Sequence, residues 1–137
     1  ALDRCVEVLG EDGVTRLVDT FYDAMDQLPE AATIRAMHEP DLAQTRSVLV
    51  KYLTEWMGGG RLYSPEHGAP MLRRRHQRFA IDAAARDAWM LCMRTALATS
   101  ELPEPLHERV VALFGQMAEM CRTREPDGSV RPQFARA

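Results

Sequence analysis

An all-α fold is predicted by three features of this 137-residue sequence. Apolar residues recur at helical spacing along most of the chain, no alternating run of strand length is present, and clusters of glycine and proline separate the helical stretches. The first stripe is the strongest: Val14, Leu17, Val18, Phe21, Tyr22 and Met25 share one face of a helix that opens after Gly10 and Gly13 and ends at Pro29 and Glu30. A short helical stretch over 31–37 is closed by His38, and "HEPDL" reads as a turn in which Asp41 is an N-cap. Leu42, Thr45, Leu49, Tyr52, Leu53 and Trp56 line the next helix, which "GGG" at 58–60 stops.

"RLYSPEHGAP" (61–70), rich in proline and glycine, reads as a loop. Leu72, His76 and Phe79 then mark a short helix with His76 in line with its apolar residues. Asp82 is a suitable N-cap for a helix carrying Trp89, Cys92, Met93, Ala96 and Leu97, and after "SELPEP" a last helix gathers Val110, Leu113, Phe114, Met117 and Cys121. One domain is expected over 1–122, with 123–137 a polar, mobile tail.

Composition narrows the function. Hydrophobic residues make up 46% of the chain, which is enough for a packed core rather than disorder. A net charge of -3 gives no general attraction to nucleic acid or to an anionic membrane, so neither is expected as a partner. The triplet Arg73–Arg75 in "MLRRRHQRFAI" is therefore a local feature. The three cysteines, Cys5, Cys92 and Cys121, have no spacing that suits a disulfide framework or a cysteine zinc site, and a reducing cytoplasm is expected. The opening residues carry acidic charge and no long apolar run, and no run of 18 apolar residues occurs, so neither a secretory leader nor a membrane span is expected.

Three apolar faces carry a polar group: Tyr22 on the first, Thr45 on the second and Trp89 on the third. Buried tyrosines and tryptophans are common and usually bond a carbonyl, so each alone reads as structural. A lone histidine such as His76 on an apolar face is also more often a satisfied core residue than a ligand. The four histidines, His38, His67, His76 and His107, show no i, i+4 pair for zinc, and no nucleophile motif is present. One metal arrangement needs a single protein ligand: haem iron, where the porphyrin supplies the other in-plane donors. Arginines beside such a ligand could pair with haem propionates, or they could form a solvated face.

The segments "FYDAMD", "TIRAMHEPDL", "YLTEWMGGGRLYSPEHGAPMLRRRH" and "DAAARDAWMLCMRTAL" resemble the group II truncated haemoglobins over about residues 10–120. The resemblance implies a two-over-two helical sandwich enclosing haem b (iron protoporphyrin IX). It makes His76 the proximal iron ligand and places Tyr22, His38 and Trp89 at the distal polar positions. Thr45 matches a small distal residue that leaves room for ligand entry, and Leu49 an apolar residue facing the ligand. Tyr63 and Arg75 match positions that bond the propionates; Phe21, Tyr52, Leu72 and Phe79 would contact the haem. Two departures stand out. Members often carry "GHP" where this chain has "GAP", with His67 two residues earlier, and a proline where this chain has Arg78.

What the resemblance implies for function is a pentacoordinate haem protein that binds O2, with NO, CO, peroxide and sulfide as related ligands, held tightly by donors from Tyr22, Trp89 and His38. The alternative is a haem enzyme with NO dioxygenase or peroxidase-like activity on the same site, served by a separate reductase, since no flavin-binding segment is visible. A monomer or a homodimer would suit either. A cofactor-free helical module leaves the coincidence of motifs unexplained.

Overall fold

The computed structural model describes residues 3–69 and 71–134. Helix α1 (Asp3–Gln27) is broken at Gly10, whose φ of 69° and ψ of 171° lie where an L-side chain is rarely found. The sequence stripe of α1 is the centre of the core: Val14, Val18 and Phe21 are fully buried, and Leu17, Tyr22 and Met25 nearly so. The helix begins earlier than its stripe suggested, because Cys5 and Leu9, ahead of the break, are buried too.

Pro29 opens a single 3-10 turn, Pro29–Ala31, that leads into α2 (Ala32–Ala36). Arg35 holds the chain after α2 by donating to Glu39 O (3.0 Å) and Pro40 O (2.9 Å) and pairing with Asp26. The N-cap of α3 (Ala43–Trp56) is Leu42 rather than the expected Asp41, whose carboxylate, one position further out, accepts from Ala43 N at 2.9 Å as the helix begins. At the far end Gly59 N donates to Thr54 O (2.8 Å), and a Cβ on Gly59 would sit 2.7 Å from Thr54 Cγ2, so only glycine fits this close approach.

The expected loop 61–70 contains one helical turn, α4 (Ser64–His67), missed because it is too short for an apolar period; Ser64 N and Oγ both donate to the Glu55 carboxylate. Pro70 lies outside the described residues. Helix α5 (Leu72–His76) follows, then α6 (Ala83–Ala98), capped by Asp82 Oδ1 accepting from Ala85 N at 2.8 Å, and α7 (Glu104–Met120). The helices form two pairs, α1 with α3 and α6 with α7, joined through the packing of α1 on α6. This is the expected two-over-two arrangement, and no strand occurs among the described residues.

The segment expected to be a mobile tail is instead built into the body as far as Phe134; 135–137 lie outside the described residues. Thr123 is fully buried, its hydroxyl donating to Phe79 O (2.6 Å) and accepting from Ile81 N (2.8 Å), while its own N–H reaches Ile81 O (2.8 Å). Glu119 gathers Arg86, Arg122 and Arg131 around one carboxylate, and Phe134 is buried. Polar composition suggests a solvated tail, but Thr123 and the Arg124 N–H bond the loop between α5 and α6, and Arg131 bonds the Glu119 and Arg122 carbonyls at the end of α7. Among the described residues no helix is long and apolar enough to cross a membrane.

Candidate functional site

The second helix face is the first sign of a site. Thr45, Leu49, Tyr52 and Trp56 of α3 are only half-buried although they continue the apolar stripe that buries Leu42 and Leu53. Of these, Thr45, Leu49 and Tyr52 face a cavity of about 410 Å³ between α3, α5, α6 and α7. That volume falls within the roughly 300–1,000 Å³ typical of cofactor and small-molecule sites.

The cavity brings together Tyr22, His38, Thr45, Leu49, Tyr52, Leu72, His76, Phe79 and Trp89, nine of the twelve residues the sequence singled out. Phe21, Tyr63 and Arg75 stand outside its lining. Phe21 lies behind it, edge-on to Tyr22 (4.9 Å between ring centroids) and to Trp89 (5.1 Å), and so supports both rings. Tyr63 is buried against Tyr52 (5.3 Å) and His67 (4.7 Å). Arg75 sits 5.9 Å from the Tyr63 ring and reaches His67 O at 3.5 Å. Sequence reasoning did not assign Ile34, Met37, Gln44, Ile81, Arg86, Met117 or Cys121 to the site, yet all line it. Met117, and Cys121 just past the end of α7, share one helical stripe in the sequence; nothing in their spacing distinguishes a cavity wall from a core.

His76 is half-buried and its Nδ1 lies 2.7 Å from Leu72 O. A carbonyl cannot donate, so Nδ1 carries a proton, and in the neutral ring the lone pair is on Nε2. This is the tautomer a metal-binding imidazole needs, with its second nitrogen fixed by a backbone partner. His38 is held in the same way: its Nδ1 lies 2.8 Å from Ile34 O, and its ring meets Tyr22 edge-on at 5.9 Å. A neutral His38 ring therefore has an acceptor nitrogen left over, in place of the donor expected from the resemblance. His38 also borders a second, more open depression of about 520 Å³ lined by Met25, Leu28, Arg35 and Pro40.

The donors are Tyr22 and Trp89. Among the described residues neither the Tyr22 hydroxyl nor the Trp89 indole N–H has a protein acceptor, although both side chains line the cavity. Burial pushes the Tyr22 phenol up to about 12, against the opposing effect of Arg46, whose guanidinium lies 5.6 Å from the ring and is itself anchored by Asp19 and Asp23 at 3.0 Å each. Tyr22 therefore stays an O–H donor throughout the neutral range. Burial likewise raises Tyr52 to about 12 and the Cys121 thiol to about 11, so the wall opposite the distal donors carries no thiolate at neutral pH.

An imidazole with a free Nε2, an apolar cavity and two donors without protein partners suit haem: His76 has the ligand nitrogen, and Leu49, Leu72, Phe79, Ile81 and Met117 offer apolar contact to a porphyrin. An all-helical chain that builds this site has the design of a globin. The comparisons agree. Residues 6–123 match the family model described as bacterial-like globin. The truncated haemoglobin of the Antarctic marine bacterium Pseudoalteromonas haloplanktis is 36% identical, with a TM-score of 0.85 over 88% of this chain and 98% of that one. The group II two-on-two haemoglobin of Agrobacterium tumefaciens is 39% identical, with a TM-score of 0.84 over 88% and 94%. A truncated oxygen-avid haemoglobin from Bacillus subtilis is 33% identical, with a TM-score of 0.78 over 85% and 97%. The chain belongs to the bacterial-like globin family, as a group II truncated haemoglobin.

Proposed function

We propose that this chain binds haem b through His76 and uses it to hold O2 tightly, releasing it slowly. Haem supplies the iron at which O2, NO and CO bind; the protein supplies everything that sets how long they stay. His76 presents Nε2 because Leu72 O fixes its other nitrogen. Tyr22 and Trp89 are the observation that carries the reading: two donors line an apolar cavity, and neither has a protein acceptor among the described residues. Both donors open onto the cavity, so an acceptor on a ligand held there is their natural complement. Each such bond is worth roughly 1–2 kcal/mol, and about 1.4 kcal/mol is a factor of ten, so two bonds slow ligand release by about two orders of magnitude. That the Bacillus subtilis relative is oxygen-avid accords with this. Small Thr45 leaves space beside Leu49 for the ligand to enter.

The test is hemin titration of the purified protein and of His76→Gly. The parent should take up one hemin per chain and give an intense Soret band on reduction. His76→Gly should lose the band and regain it with added imidazole. A parent that binds no hemin, or a variant that binds it as well without imidazole, would overturn the assignment. Stopped-flow mixing of the oxygenated protein with NO or peroxide, with reductant present, separates storage from catalysis: a single stoichiometric reaction marks a binder, sustained turnover the enzyme.

A further inference from the structure

The cofactor proposed above carries two carboxylates on one edge, and a carboxylate leaving an apolar cavity needs water or a cation. The triplet Arg73–Arg75 is the obvious source in the sequence, yet none of the three lines the cavity. Arg73 and Arg74 are exposed, and Arg75 is engaged with Tyr63 and His67. Two other arginines do line it, Arg78 and Arg86. Arg86 is committed: it pairs with Glu119 at 2.6 Å and with Asp87 at 3.1 Å. Arg78 is not. Its guanidinium carbon lies 4.8 Å from the centre of the Phe79 ring, and among the described residues no carboxylate pairs with it.

Resting on the haem reading, we infer that Arg78, two residues past the iron ligand, is the residue that pairs with a cofactor carboxylate. Phe79 gives the guanidinium an aromatic face to lie against, which limits its freedom while leaving its N–H edge open. A planar guanidinium can then offer two parallel donors to one carboxylate, a geometry lysine cannot match. Arg78 is exposed, so the pair forms at the cavity mouth, where a salt bridge is modest and salt-sensitive.

The experiment follows hemin transfer from the holoprotein to excess apomyoglobin, using hemin and its dimethyl ester. Arg78→Leu should lose hemin about fivefold faster than the parent. It should lose the ester, which has no carboxylate, at the parent's rate. Arg78→Gln, which keeps a stem beside Phe79, should behave like Arg78→Leu, and the gap from the parent should narrow in high salt. Equal hemin loss from parent and Arg78→Leu overturns the inference. So does equal acceleration with both cofactors, because the residue would then act by packing alone. A parent protein that takes up neither cofactor overturns the haem reading itself, which the unsubstituted chain reveals before any Arg78 variant is compared.

Discussion

Two buried threonines sit in this fold in opposite circumstances, and the same substitution should have opposite effects on them. Thr123 is fully buried, and its hydroxyl both donates, to Phe79 O (2.6 Å), and accepts, from Ile81 N (2.8 Å). Thr123→Val keeps the shape, removes the hydroxyl and takes from the part-buried Phe79 carbonyl and Ile81 N–H the partner each has. An orphaned buried group costs about 1–3 kcal/mol, and the carbonyl has a second lone pair to fall back on, so the loss should be about 3 kcal/mol. That is a large fraction of the roughly 5–15 kcal/mol that holds a domain folded. Thr54 is equally buried, but its Oγ1 has no partner among the described residues. Thr54→Val removes a dehydrated, unsatisfied hydroxyl and should be neutral or stabilise by up to about 1 kcal/mol. Urea denaturation of the apoprotein, fitted with a common slope, measures both. Thr123→Val should also speed hemin loss, because Phe79 and Ile81 line the cavity. Changes of the same sign and within about 0.5 kcal/mol of each other would refute the hydrogen-bond account.

Trp89→Phe keeps most of the ring and removes the indole N–H; it should raise the O2 dissociation rate about tenfold in flash photolysis or stopped flow, and an unchanged rate would remove Trp89 from the ligand's donors. Stability should fall in acid through Glu119. Its carboxyl is held down to about 2, from an ordinary 4.5, first by its bond to Arg122 and then by that to Arg86. The depressed folded value means that the contribution is complete above about 4.5 and is lost as pH falls from there toward 2. Glu119→Gln should flatten that part of the stability–pH curve, and a curve that keeps its slope would show that the arginines do not depend on this charge.

Much of this molecule can be read from its residues, and the exceptions share a cause. The α1 stripe is buried as drawn, and on α6 and α7 Cys92, Met93, Ala96, Leu97, Val110 and Phe114 are buried while Trp89, Leu113, Met117 and Cys121 are half-buried; a 3.6-residue period needs only local information. The α3 stripe is also real, but the half-exposure of Thr45, Leu49 and Tyr52 reflects a cavity that depends on where α5 and α7 lie. His76 is visible as an oddity on an apolar face; what fits it for iron is the tautomer set by Leu72 O, a detail of geometry. The resemblance gives Arg75 as a propionate partner; its guanidinium lies 5.9 Å from the Tyr63 ring and outside the cavity lining, which includes Arg78. Thr123 gave no signal, since its partners lie 44 and 42 residues earlier.

That separation also orders events during synthesis. Chains emerge from the ribosome N-terminus first, and their parts fold as they come free. When His76, Trp89 and the donor Tyr22 have all been exposed, the loop at Phe79–Ile81 still waits for Thr123 to be made. A nascent chain can therefore gather the distal walls before it owns the bolt that fixes the proximal floor. Firm retention of the cofactor thus waits for the residues around Thr123, made well after the histidine and the donors that would meet it.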